Sequence, residues 1–230
     1  MINPYYDVQT YKEQVNSFLA LVTNRFGENR IGNCQSSMVY ITRLFLFLKD
    51  MYSKDNESEG YFMRCWASNM LFSIHAIFGN YEKLFYYEYR SMIENSLRVI
   101  LQKPSDDETG IRKLFDEASV LCDTKEKHMI YEFMLSDYAK CCDIVHCNNS
   151  ASINVFEYYQ DILNNEEMTS DKRVKCFSTL STFFKKIIEI VVRTNIDDIS
   201  TKYYRKSKLL EFLLGKELYD LYNGAFKDKS

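Results

Sequence analysis

The helical pattern of this chain is clearest in "YYEYRSMIENSLRVIL", residues 86 to 101. Its apolar side chains recur at intervals of three and four residues, which is the spacing of one face of an α-helix. At about 100° per residue, one arc roughly 100° wide holds Tyr86, Arg90, Ile93, Glu94, Leu97 and Leu101. The stretch is therefore predicted to be an amphipathic helix with two charged side chains on its apolar face.

The same spacing extends over almost the whole chain, which has only two prolines and seven glycines to interrupt helices. Nine helices are predicted, at about 6–26, 36–51, 60–78, 81–102, 107–122, 124–145, 151–164, 169–193 and 206–223. Tight connections, such as "GN" at 79 and 80, favour antiparallel neighbours. We therefore expect an all-α protein, an up-and-down bundle of about nine helices.

A chain of 230 residues that is 46% hydrophobic is long enough for one sizeable core. The polar linker "SKDNESEG", residues 53 to 60, is the best candidate for a subdomain boundary. We expect a single domain over 1–230. Its core is predicted at about 58–195, with N-terminal helices in 1–53 and a C-terminal helix at 206–225 packed on it.

Composition also limits the partners and the compartment. A net charge of −3 and an isoelectric point of about 5.7 exclude a global basic field for nucleic acids, so any RNA contact must be local. Seven cysteines without a framework pattern favour a reducing compartment, so the cytoplasm is expected. The N-terminus lacks a signal-peptide pattern, and the apolar runs are too short and too charged to span a bilayer.

The charged pair on the predicted helix needs an explanation. A lone charge on an apolar face costs several kcal/mol in lost solvation, so Arg90 is expected to pair with Glu94, one turn later. Two interpretations remain open. The pair either fixes the packing of the helix as a structural ion pair or forms part of a functional site.

A second polar feature is "YAKCCDIVHCNNSAS", residues 138 to 152, where a helix ends. An inner face is predicted to consist of Leu135, Ala139, Cys142 and His146, with Asp143 at its edge. His146 either caps the helix end or acts in catalysis. The neighbouring cysteines form no CxxC pair, and consecutive cysteines point about 100° apart on a helix, so no metal site is expected. His75 and His128 are interpreted as structural.

Two segments resemble a known superfamily. "IFGNYEKLFYYEYRSMIENSLRVIL" and "CCDIVHCN" are similar to two elements of HEPN-like helical proteins, over a region of about 65 to 165. The resemblance implies a helical bundle that pairs as a homodimer. It also implies a bacterial toxin–antitoxin, abortive-infection or other phage-defence setting, in which many catalytic members are metal-independent RNases.

By this resemblance, the family-like site positions are Arg90, Glu94, Asp143 and His146. Nuclease members carry arginine followed by histidine after four to six residues on one helix. This chain departs from that pattern, because the corresponding positions hold Asn95, Ser96 and Leu97. Ribonuclease chemistry would therefore require His146 to approach from another helix.

Three functions follow as expectations, none of which needs a cofactor. The first is a component of a defence or toxin–antitoxin-type system that binds a partner protein and itself. The second is a metal-independent endoribonuclease, with His146 as general base, Arg90 stabilising phosphate charge, and Asp143 or Glu94 orienting them. The third is a nucleotide-binding sensor that holds a phosphate on Arg90.

A dense basic patch, "KYYRKSK", occupies residues 202 to 208. Tyrosines alternating with cations can stack bases and bind phosphates, although such a patch is also typical of a solvated loop. The predicted nucleic-acid-binding residues of this patch are Lys202, Tyr203, Tyr204, Arg205 and Lys206.

Overall fold

The computed structural model describes residues 4–52, 60–121, 124–146 and 168–229. Within these ranges every regular element is helical, so the predicted all-α class is confirmed. The α-helices are α1 (Pro4–Phe26), α2 (Glu28–Ile31), α3 (Gln35–Tyr52), α4 (Tyr61–Phe78), α5 (Glu82–Ile100), α6 (Ile111–Ser119), α7 (Lys125–His146), α8 (Ser170–Thr194), α9 (Ile196–Lys202) and α10 (Ser207–Lys229). A 3-10 turn, Gly32–Cys34, joins α2 to α3.

Several predicted bounds need correction. Residues 27–35, which no predicted helix covers, contain α2 and the 3-10 turn, and the short helix α9 was not predicted. The helix predicted at 107–122 is shorter, at Ile111–Ser119. Asp107 ends the preceding loop instead, because its carboxylate accepts hydrogen bonds from the hydroxyl and the N–H group of Thr109 at 2.6 and 3.3 Å. The helix predicted at 151–164 lies outside the described residues.

Helices α4 and α5 form the most extensively packed pair in the described fold, and a three-residue connection, residues 79–81, joins them. A Cβ atom at Gly79 would lie 2.8 Å from the ring of Tyr81 and 2.9 Å from the carbonyl oxygen of His75, so only glycine fits. Asn80 adopts a left-handed conformation with φ of 66°, which asparagine tolerates well. This turn sets α5 directly against α4.

The core is built around α8, which packs against α3, α4, α5, α7 and α10. Its buried face includes Phe177, Leu180, Phe183, Phe184, Ile187, Ile188 and Val191. The indole ring of Trp66, on α4, stacks on Phe184 with ring centroids 5.8 Å apart, and Tyr89, on α5, meets Phe183 edge to face at 5.4 Å. Aromatic packing therefore fixes α4 and α5 on this central helix.

One carboxylate connects the two ends of the chain. Asp50, near the end of α3, accepts hydrogen bonds from the hydroxyl groups of Tyr11 on α1 and, at 3.2 Å, Tyr203 after α9. The ring of Tyr203 also stacks on Phe47 at 5.9 Å. These contacts anchor the segment between α9 and α10, which carries the predicted basic patch.

Candidate functional site

The charged residues predicted on α5 form an ion-pair series along one side of the helix. Arg90 Nε lies 3.4 Å from Glu94 Oε1, so the predicted pairing is confirmed. Glu94 Oε2 lies 3.9 Å from Arg98 Nη1, one further turn along. The side chains of Arg90 and Glu94 are 25% and 26% exposed, so the pair lies at the edge of the core rather than inside it. Solvent therefore reaches both charged groups.

Tyr138 on α7 connects this pair to a second helix. Its hydroxyl group accepts a hydrogen bond from Arg90 Nε at 3.1 Å and donates one to Glu94 Oε1 at 3.0 Å. The guanidinium group also lies 5.4 Å from the centre of the Tyr138 ring. One side chain therefore orients both charged groups at once.

The surroundings of Tyr138 and Arg90 keep both side chains protonated. Burial and the charge of Glu94 raise the pKa of Tyr138 above its ordinary value, against the opposing effect of Arg90, so the hydroxyl keeps its proton. Partial burial lowers the pKa of Arg90, but the hydrogen bond to Tyr138 and nearby negative charge raise it overall. The guanidinium is accordingly a permanent cation at this site.

The structure brings His146 to Arg90 from a different helix. His146 ends α7, and its Nε2 atom lies 3.1 Å from Arg90 Nη1. Because a guanidinium group can only donate, Nε2 must act as the acceptor and carry no proton in this arrangement. The imidazole is exposed, so a ligand can reach it. Among the residues that the structure describes, Arg90 contacts Glu94, Tyr138 and His146 through Nε and Nη1, and not through Nη2.

The other predicted features of α7 need correction. Leu135 and Ala139 are exposed, and so are Asp143 and His146, so the predicted inner face is wrong. The buried face consists instead of Lys127, Ile130, Met134, Asp137 and Cys141. The prediction failed because Asp137 made the buried face look polar.

Asp137 can be buried because it has two partners, one of which, Tyr89, lies on another helix and outside any local sequence window. Asp137 accepts a hydrogen bond from the hydroxyl group of Tyr89 at 2.7 Å and one from Lys140 at 3.0 Å. Burial and the charge of Asp137 hold the pKa of Tyr89 well above its usual range. This bond lies one residue from Arg90 and Tyr138 on each helix, so it fixes the register in which α5 and α7 meet.

Tyr138 was not predicted as a site residue, although the sequence contains a signal for it. It follows Ile130 and Met134 at intervals of four residues, so it belongs to the buried stripe of α7. A tyrosine at the edge of such a stripe places an apolar ring on the core and a polar hydroxyl at the surface. Its position opposite Arg90 depends on the packing of two helices and required the structure.

The predicted basic patch is divided by the fold. Tyr203 is buried and cannot stack bases, and Lys206 forms an ion pair with Asp7 at 2.9 Å. Lys202 lies exposed at the end of α9. Tyr204 and Arg205 are exposed, with the guanidinium group 5.1 Å from the centre of the tyrosine ring. Three of the five predicted residues therefore remain available to a ligand.

The cysteines of α7 belong to the packing of that helix. Cys141 is buried, and burial raises the pKa of its thiol to about 12, while Cys142 is half-buried. Cys147 lies outside the described residues. Among the residues the structure describes, no group of three or more histidine, cysteine or carboxylate side chains is arranged to hold a metal ion.

Fold and site together define an all-α protein with a solvent-accessible arginine, tyrosine and histidine cluster between two helices. No family model, curated protein or solved structure matches the chain. The similarity of its two sequence elements to HEPN-like proteins therefore stays a prediction. No helix in the described part of the chain is long and apolar enough to cross a membrane.

Proposed function

We propose that the Arg90 and His146 surface is the active site of a metal-independent endoribonuclease. The observation that carries the proposal is the 3.1 Å contact between Arg90 Nη1 and His146 Nε2 on the solvent-accessible surface. A nuclease of this kind needs a base for the 2′-hydroxyl group and a cation for the phosphate, and these two residues supply them. The interhelical contact replaces the single-helix motif that the sequence lacks.

In the proposed reaction, His146 removes a proton from RNA and Arg90 binds the phosphate. A phosphate oxygen replaces Nε2 as the acceptor of Arg90 Nη1, which frees Nε2 to remove the proton of the 2′-hydroxyl group. The 2′-oxygen then attacks phosphorus, Arg90 stabilises the developing charge, and the 5′-oxygen leaves with a proton taken from solvent or from the imidazolium. The products are a 2′,3′-cyclic phosphate and a 5′-hydroxyl end.

Glu94 and Tyr138 are positioning residues in this scheme. Both contact the Nε atom of the guanidinium group, at 3.4 and 3.1 Å, so neither contact uses its terminal nitrogens Nη1 and Nη2. A fixed guanidinium presents two parallel donors to a phosphate, which is the geometry that arginine recognises best. Asp143, on the exposed side of α7, has no role in this proposal.

The test is cleavage of a labelled single-stranded RNA by purified protein in the presence of a chelator. His146→Ala is expected to reduce cleavage at least 100-fold, because a general base contributes about 10²–10⁴ to a rate. Arg90→Ala is expected to reduce it by a similar factor, because losing one group that stabilises the transition-state charge costs about 10²–10³. His128→Ala is the matched control, since His128 is exposed on the same helix and pairs with Glu132 at 3.3 Å, outside the Arg90 cluster.

Two results would contradict the proposal. One is a wild-type protein that leaves RNA intact. The other is a His146→Ala variant that cleaves as fast as the His128→Ala control, which would show that His146 is not the general base. An RNA with a 2′-deoxy residue at the cleaved position must resist cleavage, because the proposed nucleophile is then missing.

The alternative is a binding role. The chain would then bind a partner protein of a defence or toxin–antitoxin-type system, or a second copy of itself. This role is supported by an apolar groove of about 500 Å³ between α1, α3 and α4, where Leu21 and Leu71 are exposed. Light scattering would test self-association. A concentration-independent monomer whose state is unchanged by Leu21→Ser and Leu71→Ser would argue against a homodimer through this groove. The nucleotide-sensor role stays a prediction, with no observation that favours it over the nuclease.

A further inference from the structure

A second surface, away from the Arg90 cluster, combines aromatic rings with positive charge. It is a groove of about 550 Å³ between the segment that follows α9 and the last turns of α10. Its walls are formed by Ser200, Thr201, Tyr203, Tyr204, Arg205, Tyr222 and Phe226. We refer to it as the aromatic groove.

Two rings of the aromatic groove are exposed to solvent rather than packed into the core. Tyr204 is 68% exposed and Phe226 is 42% exposed. Tyr222 lies between the two ends of a ring series on α10, 6.3 Å from Tyr219 and 6.0 Å from Phe226 between centroids. Large rings left in water at helical spacing offer flat faces for further stacking.

The segment that carries Tyr204 is positively charged although the whole chain is acidic. Residues 200 to 208 include four cations, Lys202, Arg205, Lys206 and Lys208, and no carboxylate. Lys206 is used by its ion pair with Asp7, and Lys202 does not line the aromatic groove, whereas Arg205 forms part of its walls. Arg205 has a positive φ of 59°, and its guanidinium group lies over the ring of Tyr204. Cation and ring are thus presented together.

The groove is also held in place. The buried ring of Tyr203 is fixed by Phe47 and Asp50, so the neighbouring Tyr204 and Arg205 project from an anchored piece of backbone. A preorganised surface loses less conformational entropy when it binds a flexible chain. Buried Tyr203 therefore supports the surface rather than contacting a ligand.

We propose that the aromatic groove binds single-stranded RNA, with bases stacked on Tyr204 and Phe226 and phosphates bound by Arg205. Aromatic faces with interleaved cations are the chemistry that recognises unpaired bases and their backbone. A base-paired duplex hides its base faces and fits less well. The choice of RNA rests on the proposed nuclease function, for which the groove is a second anchoring site for substrate.

The test is fluorescence anisotropy of a labelled single-stranded oligoribonucleotide with the His146→Ala protein, in which the proposed cleavage is blocked. Adding Tyr204→Ala and Phe226→Ala together is expected to weaken binding at least tenfold, because each lost stacking contact contributes substantially to affinity. Tyr204→Phe keeps the ring and should bind like the parent. Phe72→Ala, which removes a ring that is 52% exposed on α4, is the matched control and should leave affinity unchanged.

The contribution of the Arg205 charge to RNA binding can be measured separately. Arg205→Ala is expected to reduce the slope of log affinity against log salt concentration by about 0.7, the value for one lost contact to a single strand. Duplex RNA of the same sequence should bind at least tenfold more weakly. Equal binding of duplex and single strand would overturn the base-stacking assignment, and so would equal affinities of the Tyr204 and Phe226 double variant and the Phe72→Ala control.

The outcomes separate this proposal from the nuclease proposal. If the protein binds single strands through the groove but cleaves nothing, the groove stands and the nuclease assignment fails. If the protein cleaves RNA through His146 but the double variant binds as tightly as its parent, the groove fails and the nuclease stands. A complete lack of oligonucleotide binding would overturn the groove proposal.

Discussion

The hydroxyl group of Tyr89 is expected to contribute about 2 kcal/mol to the free energy of unfolding. It donates a 2.7 Å hydrogen bond to buried Asp137, and Tyr89→Phe removes that bond while keeping the ring that stacks on Phe85 at 5.9 Å. Hydrogen bonds to charged groups contribute about 1.5–3 kcal/mol. The lower half of this range is expected because Lys140 still contacts Asp137 at 3.0 Å.

Urea and thermal denaturation would measure this effect. For a chain of 230 residues, a change of 1 kcal/mol shifts the melting temperature by about 2–4 °C, so a decrease of about 4–8 °C is expected. Tyr86→Phe is the matched control. Tyr86 is half-buried on the same helix, and its hydroxyl group makes no hydrogen bond to the residues described.

A double-mutant cycle with Asp137→Ala would isolate the pairwise energy. If Tyr89→Phe and Tyr86→Phe destabilise the protein equally, or if the coupling energy of Tyr89 and Asp137 is close to zero, this bond does not hold α5 and α7 together. The register that sets Tyr138 opposite Arg90 would then have to come from other contacts between the two helices.

Three further predictions concern the turn, the cluster and the buried thiols. Gly79→Ala should destabilise the protein by about 1–3 kcal/mol in urea denaturation, because the added methyl group overlaps a ring and a carbonyl oxygen. Tyr138→Phe should lower RNA cleavage about tenfold, since the guanidinium loses a hydrogen bond that orients it; unchanged rates would remove that role. Burial raises the pKa values of Cys141 and Cys176 to about 12, so at pH 8 both should react with a disulfide reagent far more slowly than half-buried Cys65; equally fast reaction would contradict their burial.

Local periodicity was sufficient to predict α5 and its ion pair. Arg90 and Glu94 lie one turn apart on a single helix, so both their proximity and their common face follow from helical geometry. Their partial exposure did not follow, because it depends on how far α7 covers them. Periodicity assigns a residue to a face, and only packing determines how deeply that face is buried.

The sequence did not allow contacts between side chains on different helices to be predicted. Asp137 is polar in any sequence window, and the partner that compensates its burial from another helix, the hydroxyl group of Tyr89, lies 48 residues earlier. For the same reason, the sequence did not predict that an aromatic ring from α10 lies beside the basic patch. Tyr204 was visible in a basic run, whereas Phe226 joins it only because α10 folds back past the end of α9.

The single tryptophan of the chain makes the packing of α4 on α8 optically observable. Trp66 is fully buried, with its ring parallel to that of Phe184 within 10°. Its emission therefore originates from one buried site and is expected to shift to longer wavelength when bulk water reaches the indole ring. Separation of α4 from α8 can thus be followed by fluorescence in the unlabelled wild-type protein.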